Sequence, residues 1–340
     1  MIRSRAPLRL GIAGGGTDLS PYCDAHGGAV LNASINLYAY TFLEESASSA
    51  VEFISLDLQE SEKFSSEDEI SLDHGLVLHR AVHKRIVEKF CDGKHLPVRC
   101  TTYSDAPAGS GLGSSSTMVV SLIKAYQELL SLPLGDYDIA QMAYEIERKD
   151  CRLAGGKQDQ YAATFGGFNF MEFFSDDRVV VNPLRIKDSV INELSSSLVL
   201  YFTGTSRQSA EIIKDQIQSV TSSTTDALSA MHDVKRLSFV MKENLLRGDI
   251  EGMAYALDQG WQAKKQTSDR ITNDEIESVE AIGRANGATA MKVSGAGGGG
   301  FIMMFVDPKN KYQLVQCLSK EPGHVQNFQF SANGAEAWKA

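Results

Sequence analysis

PAGSGLGSSST, residues 107–117, runs out of an apolar stretch and into a segment with helical periodicity. Backbone N–H groups in the first turn of a helix have no partner and carry partial positive charge. Glycines placed before such a turn let the chain close around an anion. Gly109, Gly111 and Gly113 supply that freedom here, and Ser114, Ser115 and Ser116 add hydroxyls able to take a phosphate oxygen or a magnesium ion. The segment is not a P-loop, which needs a lysine after its last glycine. Nor is it a dinucleotide fingerprint, because Ser114 stands where the third glycine belongs. Two more glycine clusters, Gly14–Gly16 and Gly295–Gly300, also follow predicted strands.

Handling phosphate calls for positioning and charge neutralisation. Magnesium takes hard oxygen ligands, and a hydroxyl nucleophile gains from a nearby base. The stretch YEIERKDCRLAGGKQDQYAATFGG carries the carboxylates for both tasks: Glu145 and Glu147 on a helix, and Asp159 after a Gly-Gly turn. Glu145 and Glu147 both flank the face made by Ile139, Met142, Ala143 and Ile146, so the helical wheel barely separates them. Lys157 reads as an ordinary surface lysine. His79 and His83 stand four apart on an amphipathic helix with no supporting carboxylate pattern, and read as structural rather than metal-binding.

The elements that must hold these groups follow from periodicity. Strands are expected over the first glycine cluster's approach, over AVLNASINLYAYTFLEE, and over LPVRCTTYSDAP; residues 59–73 read as an acidic, solvated loop. A helix is expected over 75–90, a second after the glycine–serine segment, and a third over GDYDIAQMAYEIERKD. GGFNFMEFF and RVVVNPLRI read as a hairpin. Helices follow around 206–218, 226–247, 249–265 and 273–286, then strand ATAMKV, strand FIMMFV and a terminal helix and strand. Strands and helices mix without strict alternation, which indicates an α+β fold.

The 340 residues suffice for two domains. A net charge of −10 offers no dense basic patch for a nucleic-acid backbone. The five cysteines are scattered and never form a CxxC pair, which fits reduced thiols rather than disulfides or zinc. No apolar run approaches a membrane span or a signal-peptide core, so the chain reads as cytoplasmic, without a membrane partner.

PAGSGLGSSS resembles the second motif of the GHMP kinase superfamily, which includes galactokinase, homoserine kinase and mevalonate kinase. KVSGAGGGGF, Lys292–Phe301, resembles its third motif, and PLRLGIAGGGTD, Pro7–Asp18, its first. Order and spacing agree over nearly the whole chain. The resemblance implies an N-terminal domain like ribosomal protein S5 domain 2 over residues 1–187. A ferredoxin-like C-terminal domain would cover 188–340, with the nucleotide between the two. It implies ATP and Mg2+ as cofactors, a small-molecule substrate, and allows a homodimer.

Carried over residue by residue, Pro107, Gly109, Gly111, Leu112, Gly113, Ser114, Ser115 and Ser116 would bind ATP. Glu147 would hold magnesium with Ser114 or Ser115. Asp159 would be the base, and Arg9 would lie near the transferred phosphate. Gly14, Gly15, Gly16, Thr17 and Asp18 would meet the sugar, with Gly156, Gln158, Ser294, Gly295, Ala296 and Gly297 around it. The run GIAGGGTDLSPY departs from galactokinase and looks most like the heptose 7-phosphate kinase branch, with fucokinases the nearest rival. That branch implies a sugar phosphate as substrate, phosphorylated at its anomeric C1 hydroxyl, with the product feeding nucleotide-activated heptose for surface polysaccharides. A second phosphate needs a basic clamp away from ATP. Arg207, Lys264 and Lys265 are the candidates, ahead of Arg3 and Arg5.

Overall fold

Residues 6–13 of the first strand are buried on both faces, as suits a strand inside a sheet rather than at its edge. The computed structural model describes residues 1–46, 48, 50–65, 68, 70–94, 96–204, 209–221 and 225–340. Along the first half run β1 (Ile2–Ala13), α1 (Tyr22–His26), β2 (Gly28–Glu45), β3 (Ala50–Ser55), β4 (Glu60–Ser65), α2 (Val77–Phe90) and β5 (Val98–Ser104). Next come α3 (Ser114–Leu130), α4 (Asp136–Glu145), α5 (Gln158–Phe165), β6 (Phe168–Phe173) and β7 (Val179–Pro183). α4 continues into a π-helical turn over Ile146–Asp150. The second half holds α6 (Asp188–Ser197), β8 (Leu198–Phe202), α7 (Ser209–Thr221), α8 (Thr225–Arg247), α9 (Ile250–Lys265) and α10 (Asp274–Ala285). It closes with β9 (Ala288–Val293), β10 (Phe301–Val306), α11 (Pro308–Leu318), β11 (His324–Val325) and β12 (Glu336–Lys339).

The larger sheet runs β12-β1-β2-β5-β3-β4, and the long β2 also pairs with β6, which pairs with β7. β3 and β5 are parallel and the other pairs antiparallel. The smaller sheet, β11-β8-β10-β9, is antiparallel. Two expectations are corrected. Glu60–Ser65, read as part of a solvated loop, is the edge strand β4; its outward side chains are polar, so its composition hides its pairing. The chain's last strand does not stay in the second half. β12 returns to the larger sheet and pairs with β1, Arg3 opposite Trp338, so the second domain is not the whole of 188–340.

One core joins the two sheets. Leu8, Leu10 and Leu31 of the larger sheet share it with Leu200, Phe202 and Met303 of the smaller, and with Met241 and Leu257 of α8 and α9. A second core lies between the larger sheet and α2, α3 and α4. His79 and His83 belong to that second region: their rings meet the Thr102 hydroxyl at 2.8 Å and the Tyr126 hydroxyl at 2.7 Å. Burial pushes His79 down to about 4, so it is a neutral core group. The pairing of β1 with β2 shifts register between Pro7 and Arg9. Such irregularities re-aim side chains, and here the residue just beyond the shift is Arg9.

Candidate functional site

The segment from Pro107 to Gly113 closes onto α3 as its glycines suggested. Gly109, Gly111 and Gly113 have φ of 75°, 83° and 79°, the left-handed region that favours glycine. At Gly111 space forbids a side chain as well, since a Cβ would stand 2.3 Å from the Ser294 carbonyl oxygen. Gly113 caps α3, and Ser114, Ser115 and Ser116 form its first turn. Those three serines, with Gly109, Gly111 and Gly113, wall a cavity of about 460 Å³. Ser114 is buried, donating to the Pro107 carbonyl at 3.2 Å, while Ser115 is exposed. Leu112 points the other way, into the core, and Pro107 contributes its carbonyl rather than a wall.

Asp159, near the start of α5, lines this cavity against Gly113, where a Cβ would stand 3.1 Å from its carboxylate. Arg9 grips it with two donors, Nε to Oδ1 at 2.7 Å and Nη2 to Oδ2 at 2.8 Å. The third arm of the guanidinium, Nη1, donates to the Gly111 carbonyl at 2.6 Å. Gln158 Nε2 adds a bond to Asp159 Oδ1 at 2.8 Å. Burial alone would raise the Asp159 pKa. Arg9, Gln158 and Arg148 outweigh it and hold the carboxyl below its ordinary value.

The structure separates the two helix carboxylates. Glu145 faces outward to Arg85 at 3.0 Å and Lys149 at 3.5 Å. Glu147, in the π-helical turn, is buried and lines the cavity. The turn alters the residue spacing after Glu145, which a regular helical wheel does not capture. Among the described residues no cluster of three or more His, Cys, Asp or Glu side chains could hold a metal. One carboxylate and one hydroxyl on a phosphate cradle still suit magnesium, which completes its shell with phosphate oxygens and water.

A smaller cavity of about 70 Å³ adjoins the first, sharing Arg9, Gly156, Asp159, Gly295 and Ala296. Gly15, Gly16, Asp18 and Gln158 also line it. Asp18 accepts from the backbone N–H of Gly16 at 3.2 Å and of Gln158 at 3.1 Å. Gly156 leaves it room, since a Cβ there would fall 1.8 Å from Asp18 Oδ2. Gly14 and Thr17 shape the loop instead: Thr17 is buried, its hydroxyl donating to the Gly14 carbonyl at 2.8 Å. Ser294 likewise braces the loops, donating to the Gly111 carbonyl at 2.9 Å, and Gly297 packs on Ile271.

The basic candidates divide. Lys264 is buried in the smaller cavity and donates to the Gly295 carbonyl at 2.6 Å. Burial pushes its pKa down to about 8; Asp18 and Asp159 oppose that and Arg9 adds to it. The structure corrects Lys265, the next residue on α9. It points away, pairing with Glu280 at 3.6 Å over the Trp261 ring. Arg207 lies outside the described residues. Arg5 pairs with Glu336 and stacks on Tyr38, away from both cavities, and Arg3 sits opposite Trp338. Lys157 is buried, not a surface residue, and is held by Asp177 at 2.9 Å.

Two cavity-lining cations escaped the sequence reading. Lys292 lines the smaller cavity, donates to the Gly11 carbonyl at 2.6 Å, and is driven well below its ordinary value by burial and by Lys264 and Arg9. Its place at the head of the third glycine motif was the available signal. Arg148 lines the larger cavity and reaches the Gly156 carbonyl at 3.3 Å. Only its adjacency to Glu147 pointed to it.

Residues 78–167 match the GHMP kinases N terminal domain, and residues 241–324 the GHMP kinases C terminal. The chain is 46% identical over 338 residues to a D-glycero-alpha-D-manno-heptose 7-phosphate kinase of Campylobacter jejuni, covering 99% of each. The fold superposes on a crystal structure of a D-glycero-D-manno-heptose 1-phosphate kinase from Bacteroides thetaiotaomicron. That match has a TM-score of 0.86 and 44% identity, and covers 100% of this chain and 99% of that one. A mevalonate kinase of Methanococcus jannaschii shares the fold at a TM-score of 0.76 and 18% identity, over 97% and 98% of the chains.

Proposed function

The chain belongs to the GHMP kinases, and from that premise we propose that it moves the γ-phosphoryl group of ATP onto the anomeric C1 hydroxyl of D-glycero-D-manno-heptose 7-phosphate, giving the 1,7-bisphosphate. One observation carries the reading: Asp159, held ionised by Arg9, stands where the phosphate cavity and the Asp18 cavity meet. The two relatives described above are named for a heptose phosphate, one for the 7-phosphate and one for the 1-phosphate. The smaller cavity places Arg9 and Lys264 beside Asp18 and Asp159, and the depressed amine of Lys292 next to them would regain its proton against an anionic substrate.

In this reading the triphosphate lies along the glycine–serine turn, its oxygens meeting the N–H groups at the start of α3. An adjoining cavity of about 290 Å³, sharing Ala108, Ser114 and Ser115 with the phosphate wall, suits the base. Magnesium, held by Glu147 and a serine hydroxyl, would supply charge neutralisation to the phosphates. Asp18 and the backbone at Gly15 and Gly16 orient the sugar. The anomeric oxygen attacks the γ-phosphorus, the bond to the β-phosphate oxygen breaks, and ADP leaves. Asp159 receives the hydroxyl proton. Arg9 and Lys264 oppose the negative charge gathered at the transferring group.

The test is turnover of purified protein with ATP against heptose 7-phosphate, unphosphorylated heptose, fucose and galactose. Phosphorus NMR locates the new phosphate. Selective use of heptose 7-phosphate with a new anomeric phosphate is the expected result. Preference for an unphosphorylated sugar overturns the substrate assignment, and a new phosphate elsewhere on the ring overturns the assigned position.

A further inference from the structure

Gln160 follows Asp159 on α5 and is completely buried. Its amide nitrogen donates to two groups, Glu147 Oε2 at 2.5 Å and Ser116 Oγ at 3.1 Å. Both partners line the phosphate cavity. A single amide thus ties the π-helical turn, the first turn of α3 and the first turn of α5, the three places that supply the metal carboxylate, the phosphate cradle and the base.

The orientation of the amide is fixed chemically. A carboxylate only accepts, so the NH2 group must face it. The other end, Gln160 Oε1, is then buried with no hydrogen-bond partner among the described residues. An unpaired buried acceptor costs stability, and an apolar side chain of the same length would avoid that cost. Packing therefore does not account for an amide at this position. With Oε2 engaged, Glu147 Oε1 lies 3.8 Å from the Arg148 guanidinium, its ion-pair partner among the described residues.

We propose that Gln160 is a positioning residue that occupies one oxygen of Glu147 and presents the other, Oε1, as a single-oxygen ligand to the divalent cation of the bound nucleotide. The inference rests on the reading of Glu147 as the metal carboxylate. Single-oxygen ligation suits magnesium, which demands near-octahedral geometry and keeps several waters. Hydrogen bonds that fix a ligating carboxylate are typically worth about 10–100-fold in metal affinity or activity.

Gln160→Leu tests this, with Gln160→Met, closer in length, where leucine does not fold. Binding of Mn2+ to the ADP complex is read by electron paramagnetic resonance. ADP binding without metal is read by calorimetry, and turnover is followed against Mg2+ concentration. The expected result is a loss of Mn2+ affinity of about 10–100-fold and a matching rise in the Mg2+ needed for half-maximal turnover. Metal-free ADP binding should be unchanged, and kcat should largely return at saturating Mg2+. A purely structural role would lower kcat at every metal concentration and leave Mn2+ affinity intact, which overturns the proposal. Glu147→Gln separates the two layers. If it weakens Mn2+ binding and the Gln160 variants do not, only the positioning role is lost. If neither does, the reading of Glu147 falls and the proposal with it.

Discussion

Lys264 offers a test in which stability and function move in opposite directions. Its ammonium is buried, no described carboxylate pairs with it, and its hydrogen bond is to the Gly295 carbonyl. Burial, with Arg9 adding to it and Asp18 and Asp159 opposing, holds its pKa down to about 8 against an ordinary 10.5. The unfolded chain therefore keeps a proton that the folded chain has lost between about pH 8 and 10.5, and stability must rise with pH through that window. The full gap is worth about 3 kcal/mol. Lys264→Met removes it. Measured by urea unfolding, the stability of the native protein minus that of the variant should climb by about 2 kcal/mol between about pH 7.5 and 9.5. Taking the difference cancels the titrating groups that Lys264 does not reach; Lys292, which Lys264 lowers, adds to the climb in the same direction. The same variant should raise the KM for the sugar phosphate about 10- to 100-fold, the worth of a hydrogen bond to a charged group. A difference that stays flat with pH would refute the account of Lys264 as a charge held in the fold against its solvation.

Asp159→Asn should lower kcat by about 10²-fold, the cost of a hydroxyl no longer held in line for attack. Because the folded carboxyl lies below its ordinary value, its pairing with Arg9 stabilises the protein at all pH above about 5 and that contribution fades as pH falls through the depressed value. Acid unfolding curves of the two proteins should accordingly converge below about pH 4. Gly156→Ala puts a Cβ at 1.8 Å from Asp18 Oδ2; it should displace that carboxylate and raise the KM for the sugar more than the KM for ATP, which steady-state kinetics with each substrate varied will show.

What the sequence made legible was chemistry carried by adjacent residues. The turn at Gly109–Gly113 and the serines after it need only local backbone geometry, so PAGSGLGSSST is legible alone as a glycine turn opening a helix, while its reading as a phosphate cradle leaned on the other two glycine motifs and the carboxylates. Helices α8, α9 and α10 were legible for the same reason, since a 3.6-residue period is a local signal. The strand Glu60–Ser65 was hidden because a polar edge strand is defined by its partner, Ala50–Ser55, and not by its own composition. The pairing of residues 336–339 with residues 2–5 spans the whole chain and leaves no local trace. Lys264 and Lys265 are indistinguishable by type, yet about 100° of helical turn sends one to the cavity and the other to Glu280. Gln160 and Lys292 matter through partners more than a dozen positions away, Glu147 among them and Gly11 far upstream.

The Arg9 contact bears on how the proton moves. A carboxylate gripped by a guanidinium, two bonds of 2.7 and 2.8 Å, is a weaker base than a free one. Such a group gains little by taking a hydroxyl proton before the oxygen has begun to bond to phosphorus. Phosphoryl transfer passes through a loose transition state with little bond formation to the nucleophile, so the hydroxyl keeps its proton until late. In the proposed reaction Asp159 would then act at the barrier chiefly by orienting the hydroxyl, and Arg9 by fixing Asp159 against the Gly111 carbonyl. Proton motion should contribute little to the barrier. With chemistry made rate-limiting by a slow phosphoryl donor, turnover in D2O should match turnover in H2O to within about 1.5-fold. A solvent isotope effect of two or more would mean the proton is in flight at the transition state, and Asp159 would then have to be a stronger base in the substrate complex than its pairing with Arg9 allows.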